Sequence, residues 1–364
     1  MSQDIETVPK LLTESAGKSR CSVFRVRRAL AGGNTEACRP RIVSIGPYHH
    51  GEAQLGMLQE HKWRNLQSML DQTQPHGVGL EDLIDTLAPK VEMIQKCYSE
   101  STDRFSGPDL VKMMVLDGCF IIQFLRQMAG VIQSDPSIKN SYVLASVMRD
   151  LLRLGNQVPY FVLEDLFETA NVPKGTLSLA DLAFHFFSCF PEQSKKGVHL
   201  LDSFRLSLIP WDQRDIYPVN KRSSHHLIKS AFEIRRVGIG FKQREASTFL
   251  EIKFDCERRI IGIPKVTIDI DVNWILPNMV VFEQCRGQGD GHITAYAAFM
   301  VISNHGMSNE DVAHFFSDVC KDATFYVKGS YLESHFAILN ECLKYERTYL
   351  CCAQLLNAFY DNPW

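Results

Sequence analysis

Apolar residues recur at helical spacing along most of this chain, which predicts a mainly helical fold. The clearest pattern lies between residues 80 and 98, where apolar side chains follow steps of three and four residues. Pro89 lies inside that pattern, and we expect it to kink the helix or divide it in two. Other helices are predicted at residues 57–71, 108–128, 142–169, 224–236, from Ser308 to about 319, and 326–359.

Three of these helices carry more detailed expectations. In the helix predicted at 57–71, Trp63, Leu66 and Leu70 fall on one face, which should pack against the core. Residues 119–125 are apolar almost all round, so the helix predicted at 108–128 should lie at the centre of the core. The region 142–169 should be interrupted at Gly155 and Pro159.

Alternating apolar and polar residues occur together in one part of the chain. Residues 250–254, 259–263 and 266–270 each alternate, which predicts a hairpin or a three-stranded element near 247–270. Pro264 has no N–H to donate, so we expect its strand to lie at an edge or to break there. The predicted fold class is therefore mainly α, a multi-helix globular domain with one small β element.

The predicted domain organisation is simple. Residues 1–20 are polar, which predicts a disordered N-terminal segment, and residues 21–364 are predicted to form a single domain. Within it we distinguish a helical subregion at 21–190, a loop-rich joint at 191–225, and the β element with C-terminal helices at 226–364. The joint is assigned because that stretch is rich in Pro, Ser, Lys and Arg and lacks periodicity.

Composition and charge limit the classes of function. The 364 residues are 45% apolar with a net charge of −3, which argues against broad electrostatic binding to nucleic acid. The chain has 11 cysteines and no Cys-x-x-Cys pair, so we expect reduced, buried thiols rather than a disulfide scaffold or zinc site. The sequence has no secretory signal and no long apolar run, so the chain as given should be soluble.

The histidines near residue 50 are the best metal-binding candidates. His49 and His50 lie close in sequence to Glu60 and His61, and two imidazoles with a carboxylate can hold zinc or iron. Neighbouring residues on an extended chain, however, point to opposite sides. We therefore favour a structural role, in which one of the two histidines packs in a polar pocket and ties this loop to the helix at Glu60–Arg64, and we predict no metal, cofactor or catalytic residue.

Other suggestive motifs have structural explanations. Cys119 lies among large apolar residues, where a thiol is buried and its ionisation suppressed, and Cys285 reads as a packing residue at a helix end. The loop Gly287–Gly291 lacks the Lys-Ser/Thr pair of a phosphate-binding loop. The amides of Asn156 and Gln157 next to Pro159 should satisfy backbone groups released by a helix break.

Several dense motifs resemble one plant family, the domain-of-unknown-function 247 family, also called uncharacterised protein family 0481. They are Ile42–Gly51, Glu60–Arg64, Met113–Phe120, Asn156–Glu164, Phe282–Cys285 and the terminal Asn362–Trp364. The resemblance implies a hydrophobic membrane-spanning tail just after Asn-Pro-Trp, which is absent from this sequence. It also implies a role in reproductive recognition, such as pollen self-incompatibility or sex determination, and no enzymatic activity. Gly155 departs from the family pattern, which usually has Glu there.

The resulting hypothesis is a non-enzymatic recognition protein, tethered to a membrane, most simply the plasma membrane, in its native form. Its partner would be another protein, for example a small secreted ligand, and a homo-oligomer is compatible with this role. The surface loops at 191–225 and 286–292 are where specificity could diverge. Two alternatives stay open: a metal-dependent protein or enzyme centred on His49, His50 and His61, and an intracellular oligomeric scaffold.

Overall fold

The computed structural model describes residues 21–26, 38–133, 140–170, 177–186, 196–210, 231–236, 238–266, 270–287, 291–304, 310–321, 323–324 and 329–341. The described chain divides into two compact units. The first takes Met1–Ser207 and Ile270–Gly287, and the second takes Leu208–Asp269 and Gln288–Trp364. The predicted disordered lead at 1–20, the Ser308 cap, most of the predicted final helix and the terminal Asn362–Trp364 lie outside the described residues. The single domain over 21–364 stays a prediction.

The first unit is helical. Its α-helices are α1 (Gln59–Thr73), α2 (Leu80–Leu87), α3 (Val91–Lys96), α4 (Gly107–Met128), α5 (Ser141–Leu151), α6 (Tyr160–Thr169), α7 (Leu179–Phe186), α8 (Leu200–Leu208) and α10 (Ile270–Arg286). Short 3-10 turns occupy Ala53–Leu58, Gln74–His76 and Ala88–Lys90. The last of these contains Pro89, which confirms that the proline divides the predicted helix in two.

Helix α4 is the centre of the first unit, as its sequence predicts. Ser106 caps its N-terminus by accepting a hydrogen bond from the Asp109 N–H, and Pro108 fits the first turn, where no N–H is needed. From Leu110 to Gln127 every residue except Lys112 is buried. The helix packs against α1, α2, α3, α6 and α7. Gly118 allows the close approach of α6, because a Cβ there would lie 2.4 Å from Leu166 Cδ1.

Two predictions about the first unit need correction. Trp63 is 57% exposed, although Leu66 and Leu70 on the same predicted face are buried. The buried side of α1 is rotated instead toward Lys62, Asn65 and Met69, because a charged side chain is accommodated there. Leu80, the first residue of the apolar pattern predicted over residues 80–98, is also exposed. The predicted loop-rich joint 191–225 contains the buried helix α8, and residues 211–225 lie outside the described part.

The second unit contains the β element. Its elements are α9 (Ala231–Arg236), β1 (Gly240–Arg244), β2 (Lys253–Asp255), β3 (Ile260–Pro264), α11 (His292–Asn304), α12 (Glu310–Cys320) and a further helical segment at 333–341. The three described strands form one sheet in the order β1-β3-β2, in which β3 is parallel to β1 and antiparallel to β2. The small three-stranded sheet is therefore confirmed.

The identity of one strand was predicted wrongly. The third strand is β1, which precedes the other two, and Ile270 begins helix α10 instead of ending a strand. Strand β3 lies in the centre of the sheet, not at an edge. Pro264 is tolerated because it is the last residue of β3, beyond the Ile260–Gly262 stretch that pairs with β2. Residues 329–332 form turns, so the helix predicted to begin at 326 begins later, at 333.

None of the described helices combines the length and the apolar character that a bilayer-spanning helix needs.

Candidate functional site

Residues 38–52, here called the anchored segment, contain the longest of the sequence motifs. Most of the segment is buried, yet it has almost no regular secondary structure. Buried backbone N–H and C=O groups must then find partners outside helices and sheets. Side chains from α1, from α4 and from residues 150–157 provide those partners.

Asp150, at the end of α5, holds the first part of the anchored segment. Its carboxylate accepts hydrogen bonds from the backbone N–H groups of Arg41, Ile42 and Val43, at 2.8 to 3.1 Å. Arg153 donates to the same carboxylate at 3.0 Å. Both side chains are buried, and the Arg153 guanidinium together with the three N–H donors compensates the buried negative charge of Asp150. Burial raises the pKa of Asp150, and the donors offset part of this effect.

Asn156 and Gln157 confirm the backbone role predicted for their amides. Asn156 accepts from the Ile45 N–H at 2.7 Å and donates to the carbonyls of Val43 and Asp150. Gln157 donates to the carbonyl of Leu151, at the end of α5, at 2.7 Å. The carbonyls that these amides satisfy are therefore mainly those of the α5 terminus and of the anchored segment.

Lys62 and Asp117 form a buried ion pair beneath the middle of the anchored segment. Both side chains are 2% exposed, and Lys62 Nζ lies 2.5 Å from Asp117 Oδ1 and 2.5 Å from the Ser44 carbonyl. The other oxygen of Asp117 accepts from the Gly46 N–H at 2.8 Å. Gly46 has φ +68°, and a Cβ there would lie 2.7 Å from the Gln157 carbonyl oxygen. Only glycine fits this position.

The end of the anchored segment is held by aromatic and cationic side chains. Tyr48 donates to the Val23 carbonyl at 3.2 Å and accepts from the Glu100 N–H, and burial raises its pKa to about 12. Arg104 donates to the carbonyl of Pro47. His50 packs edge-on against Phe105. The whole segment is therefore fixed by specific contacts.

The four metal-ligand candidates do not converge. His49 is buried and its Nδ1 lies 2.9 Å from Glu52 Oε1, a carboxylate that was not among the candidates. Burial lowers the pKa of both His49 and His50. Glu60 is exposed and pairs with Arg64 at 2.6 Å. In the part of the chain that the structure describes, no three His, Cys, Asp or Glu residues are grouped to hold a metal ion.

Cys119 and Cys285 are poor nucleophiles. Burial raises the pKa of Cys119 to about 12 and that of Cys285 to about 11, so both are thiols at neutral pH. Cys119 is fully buried in α4, as predicted, and Cys285 lies in the last turn of α10. Among the cysteines described in the structure, Cys256 is exposed, in the turn between β2 and β3.

A second buried cluster lies at α8 and the end of α10 in the same unit. Arg205 donates to Asp202 at 2.9 Å and to Glu283 at 3.0 Å, and all three side chains are at most 3% exposed. Burial alone would raise the pKa of Asp202, but the neighbouring Arg205 and His199 outweigh it and lower that pKa. Glu283 belongs to the Phe282–Cys285 motif, so this motif too has a structural role.

His199 has one defined tautomer in this cluster. Its Nε2 donates to the Ser22 carbonyl at 3.0 Å, and its Nδ1 accepts from the Asp202 N–H at 3.1 Å. The ring is neutral, and burial lowers its pKa to about 4. A protonated ring would place a second N–H against the Asp202 N–H, which the geometry cannot accommodate.

His199 should therefore make stability depend on pH. Its pKa is lowered on folding from the ordinary 6.5, so the unfolded chain takes up a proton first as the pH falls. Stability should decrease between pH 6.5 and 4 by up to about 3 kcal/mol. The variant His199→Gln keeps a donor for Ser22 and should show a shallower decrease. Equal slopes in urea unfolding of the two proteins would contradict this assignment.

The three charged side chains that hold the anchored segment are buried. Lys62, Asp117 and Asp150 all bind backbone groups of the segment, and none of them is accessible to a substrate in this structure. Sequence reasoning missed the Lys62–Asp117 pair and Asp150. Lys62 and Asp117 lie inside recognised motifs, and a charged residue in an otherwise apolar helix such as α4 was the available signal. Asp150 gave none.

One known protein family matches most of this chain. A family described as plant proteins of unknown function, DUF247, matches residues 23–301, which include all the motifs discussed above except the terminal Asn362–Trp364. The chain belongs to the plant DUF247 family. The matched range covers most of the first unit and part of the second. The buried anchors of the anchored segment all lie within it.

Two curated relatives from Arabidopsis thaliana agree with the DUF247 assignment. The UPF0481 protein At3g47200 is 33% identical over 407 aligned positions, which cover 98% of this chain and 84% of that protein. The putative UPF0481 protein At3g02645 is 28% identical over 147 positions, which cover 40% of this chain and 27% of that protein. No solved structure matches this DUF247 chain.

Proposed function

We propose that this DUF247 protein is a non-enzymatic recognition protein that binds another protein through its helical surface. The observation that carries the proposal is Trp63, which lies in the Glu60–Arg64 motif and is 57% exposed. Tryptophan is among the residues that contribute most to protein–protein binding when an interface buries them. Its exposure in this chain leaves that contribution available to a partner.

The surroundings of Trp63 support the proposal. Met57, three residues before Glu60, is 60% exposed, and methionine is also enriched at interfaces. Lys62, the preceding residue of the same helix, is buried and is fixed by its ion pair with Asp117. Trp63 is therefore presented by a helix whose position is well defined, which lowers the entropy cost of binding.

The biological setting is the finer part of the proposal. By its family resemblance, the native protein would be tethered to a membrane by a tail beyond Trp364 and would act in reproductive recognition. The partner would be a protein of the opposite tissue, for example a small secreted one. The specificity loops need revision, because α8 fills the middle of 191–225 and is buried. Residues 211–225 and 288–290 lie outside the described residues and stay candidates.

Trp63→Ala tests the proposal. The full-length protein with its native tail is expressed in its own tissue and cross-linked, and co-purifying proteins are identified. We expect Trp63→Ala to lose at least about tenfold of a reproducible partner, because truncating such a residue costs about 2 kcal/mol or more. Tyr142→Ala, which removes a 67% exposed aromatic residue from α5, is the matched control and should retain the partner.

Two outcomes would count against recognition by this surface. In the first, both variants retain the same partner at the wild-type level, which would exclude Trp63 from the interface. In the second, the wild-type protein captures no reproducible partner under conditions that preserve weak complexes. That result would exclude the proposed function itself.

A further inference from the structure

We propose that the three-stranded sheet of the second unit binds an acidic, extended segment of a partner protein along the outer edge of β1. The proposal rests on the proposed function and names the chemistry of the partner. The face of the sheet that carries Lys242 and Arg244 of β1, Lys253 and Asp255 of β2, and Ile260, Gly262 and Pro264 of β3 is called the cationic face. Four observations support the proposal: strand register, charge balance, the unpaired edge, and the absence of a large aromatic side chain from this face.

The register places two lysines in one row. Lys242 of β1 and Lys253 of β2 both pair with Gly262 of β3, so all three side-chain positions lie on the same face. Both lysines are exposed, whereas Phe254 and Ile261, on the opposite face, are buried. The sheet therefore packs on one face and presents cations to solvent on the other.

The neighbouring acidic groups do not neutralise these lysines. Glu251 is engaged by Arg244, at 3.5 Å, and by the backbone N–H groups of Ser247 and Thr248. Asp255 pairs with Arg258 at 3.8 Å. In the described part of the chain, Lys242 and Lys253 have no ion pair and no hydrogen bond. The face thus keeps two positive charges on a chain whose net charge is −3.

Arg244 is fixed in place at one end of the cationic face. Because Gly262 has no side chain, the methylene groups of Arg244 lie across it, with Cδ 2.9 Å from an ideal Cβ position. The Arg244 guanidinium donates to the Glu251 carbonyl at 2.6 Å. Arg244 therefore lies flat over Gly262 and is held there by its contact with Glu251.

Strand β1 offers an unpaired edge beside Lys242. The Gly240 N–H donates to the Arg259 carbonyl, so alternate residues of β1 point their backbone groups toward β3. Phe241 and Gln243 then point theirs outward, where no described strand pairs with them. All of β1 is exposed or half-buried. An incoming strand can add there through backbone hydrogen bonds, the mode known as β-augmentation.

Charge decides what kind of strand fits. Side chains of an added strand that share the face of Lys242 would lie beside its ammonium group, which favours Glu or Asp at alternate positions. Lys253 is two strands further away, so it contributes only at longer range. The cationic face carries no large aromatic side chain to enter a bilayer, which favours a protein segment over a lipid surface.

The test measures anisotropy of a fluorescein-labelled peptide of alternating Glu and Thr with the purified full chain. We expect salt-sensitive binding, no binding of an alternating Lys and Thr peptide, and an affinity about fivefold weaker in Lys242→Gln. Lys253→Gln should weaken binding about twofold, and the exposed Lys112→Gln, in the first unit, should leave it unchanged.

A backbone variant separates strand addition from simple charge attraction. Gln243→Pro removes an outward N–H without removing a β1–β3 hydrogen bond, so it should abolish peptide binding while circular dichroism stays unchanged. Gln243→Ala keeps that N–H and should bind normally. Both lysines remain in the two variants, so charge is constant.

Three results would overturn the inference. They are the absence of acidic-peptide binding, binding that is insensitive to Lys242→Gln, and equal binding by Gln243→Pro. Lysine-dependent binding of phosphatidylserine vesicles or of duplex nucleic acid without peptide binding would also overturn it, in favour of those ligands. None of these results bears on the partner captured through Trp63, so failure of this inference is distinguishable from failure of the proposed function.

Discussion

Asp117→Ala should destabilise the protein by about 3 to 5 kcal/mol. The substitution leaves the Lys62 ammonium group buried without a counter-charge, and it removes the acceptor of the Gly46 N–H. Both groups lie in the interior, where an unpaired charge and an unpaired donor are costly. The change is measured by urea unfolding of the full chain, followed by circular dichroism.

The double variant Lys62→Met/Asp117→Leu separates the charge from the backbone contacts. It removes both charges, so only the Ser44 carbonyl and the Gly46 N–H lose their partners. Its stability should therefore lie between those of the wild type and Asp117→Ala. A double variant less stable than Asp117→Ala would show that the ion pair itself stabilises the fold, contrary to this account.

Asp150→Ala should have a comparable effect, also about 3 to 5 kcal/mol. It leaves three backbone N–H groups of the anchored segment and the Arg153 guanidinium without their shared acceptor. The matched control is Asp165→Ala, which removes a partly exposed pair with Lys90 and should cost less than about 1 kcal/mol. The same urea experiment compares the two.

The Asp150 prediction also has a local readout. Because its donors are all in residues 41–43, the anchored segment should become sensitive to proteolysis before the helices do. Limited proteolysis of Asp150→Ala with trypsin should cut at Arg41 in the folded protein, whereas Asp165→Ala should resist. Identical cleavage of the two variants would contradict the anchoring role of Asp150.

Helix periodicity and proline positions could be read from the sequence because they are local properties. The pattern over residues 108–128 predicted α4 and its burial, and Pro89 predicted the division between α2 and α3. Local patterns failed for Trp63. The apolar face of α1 suggested burial, but the helix is rotated so that Lys62 reaches Asp117, a contact 55 residues away in the chain.

Local sequence patterns also predicted the sheet only in part. Strands β2 and β3 alternate and are joined by a short turn, so their positions were predictable. Strand β1 has no buried residue, so its sequence lacks the buried alternation that marks a strand. Its place in the sheet comes from parallel pairing with β3, which a local pattern does not reveal.

The candidate site was only partly predictable for a similar reason. Asn156 and Gln157 were correctly assigned to backbone groups because Pro159 implies a helix break nearby. Asp150 accepts hydrogen bonds from residues more than a hundred positions away, and no local feature marks it. The histidines drew attention because of their residue type, yet the structure pairs His49 with Glu52.

The central claim is that the family motifs build a rigid scaffold around the anchored segment. Native-state hydrogen exchange at the amides of Ile42, Val43, Ile45 and Gly46 tests it most directly, since these four donate to Asp150, Asn156 and Asp117. The account predicts that they exchange as slowly as the amides in the centre of α4, through the same global unfolding. Exchange at rates close to those of an unstructured peptide would contradict the scaffold.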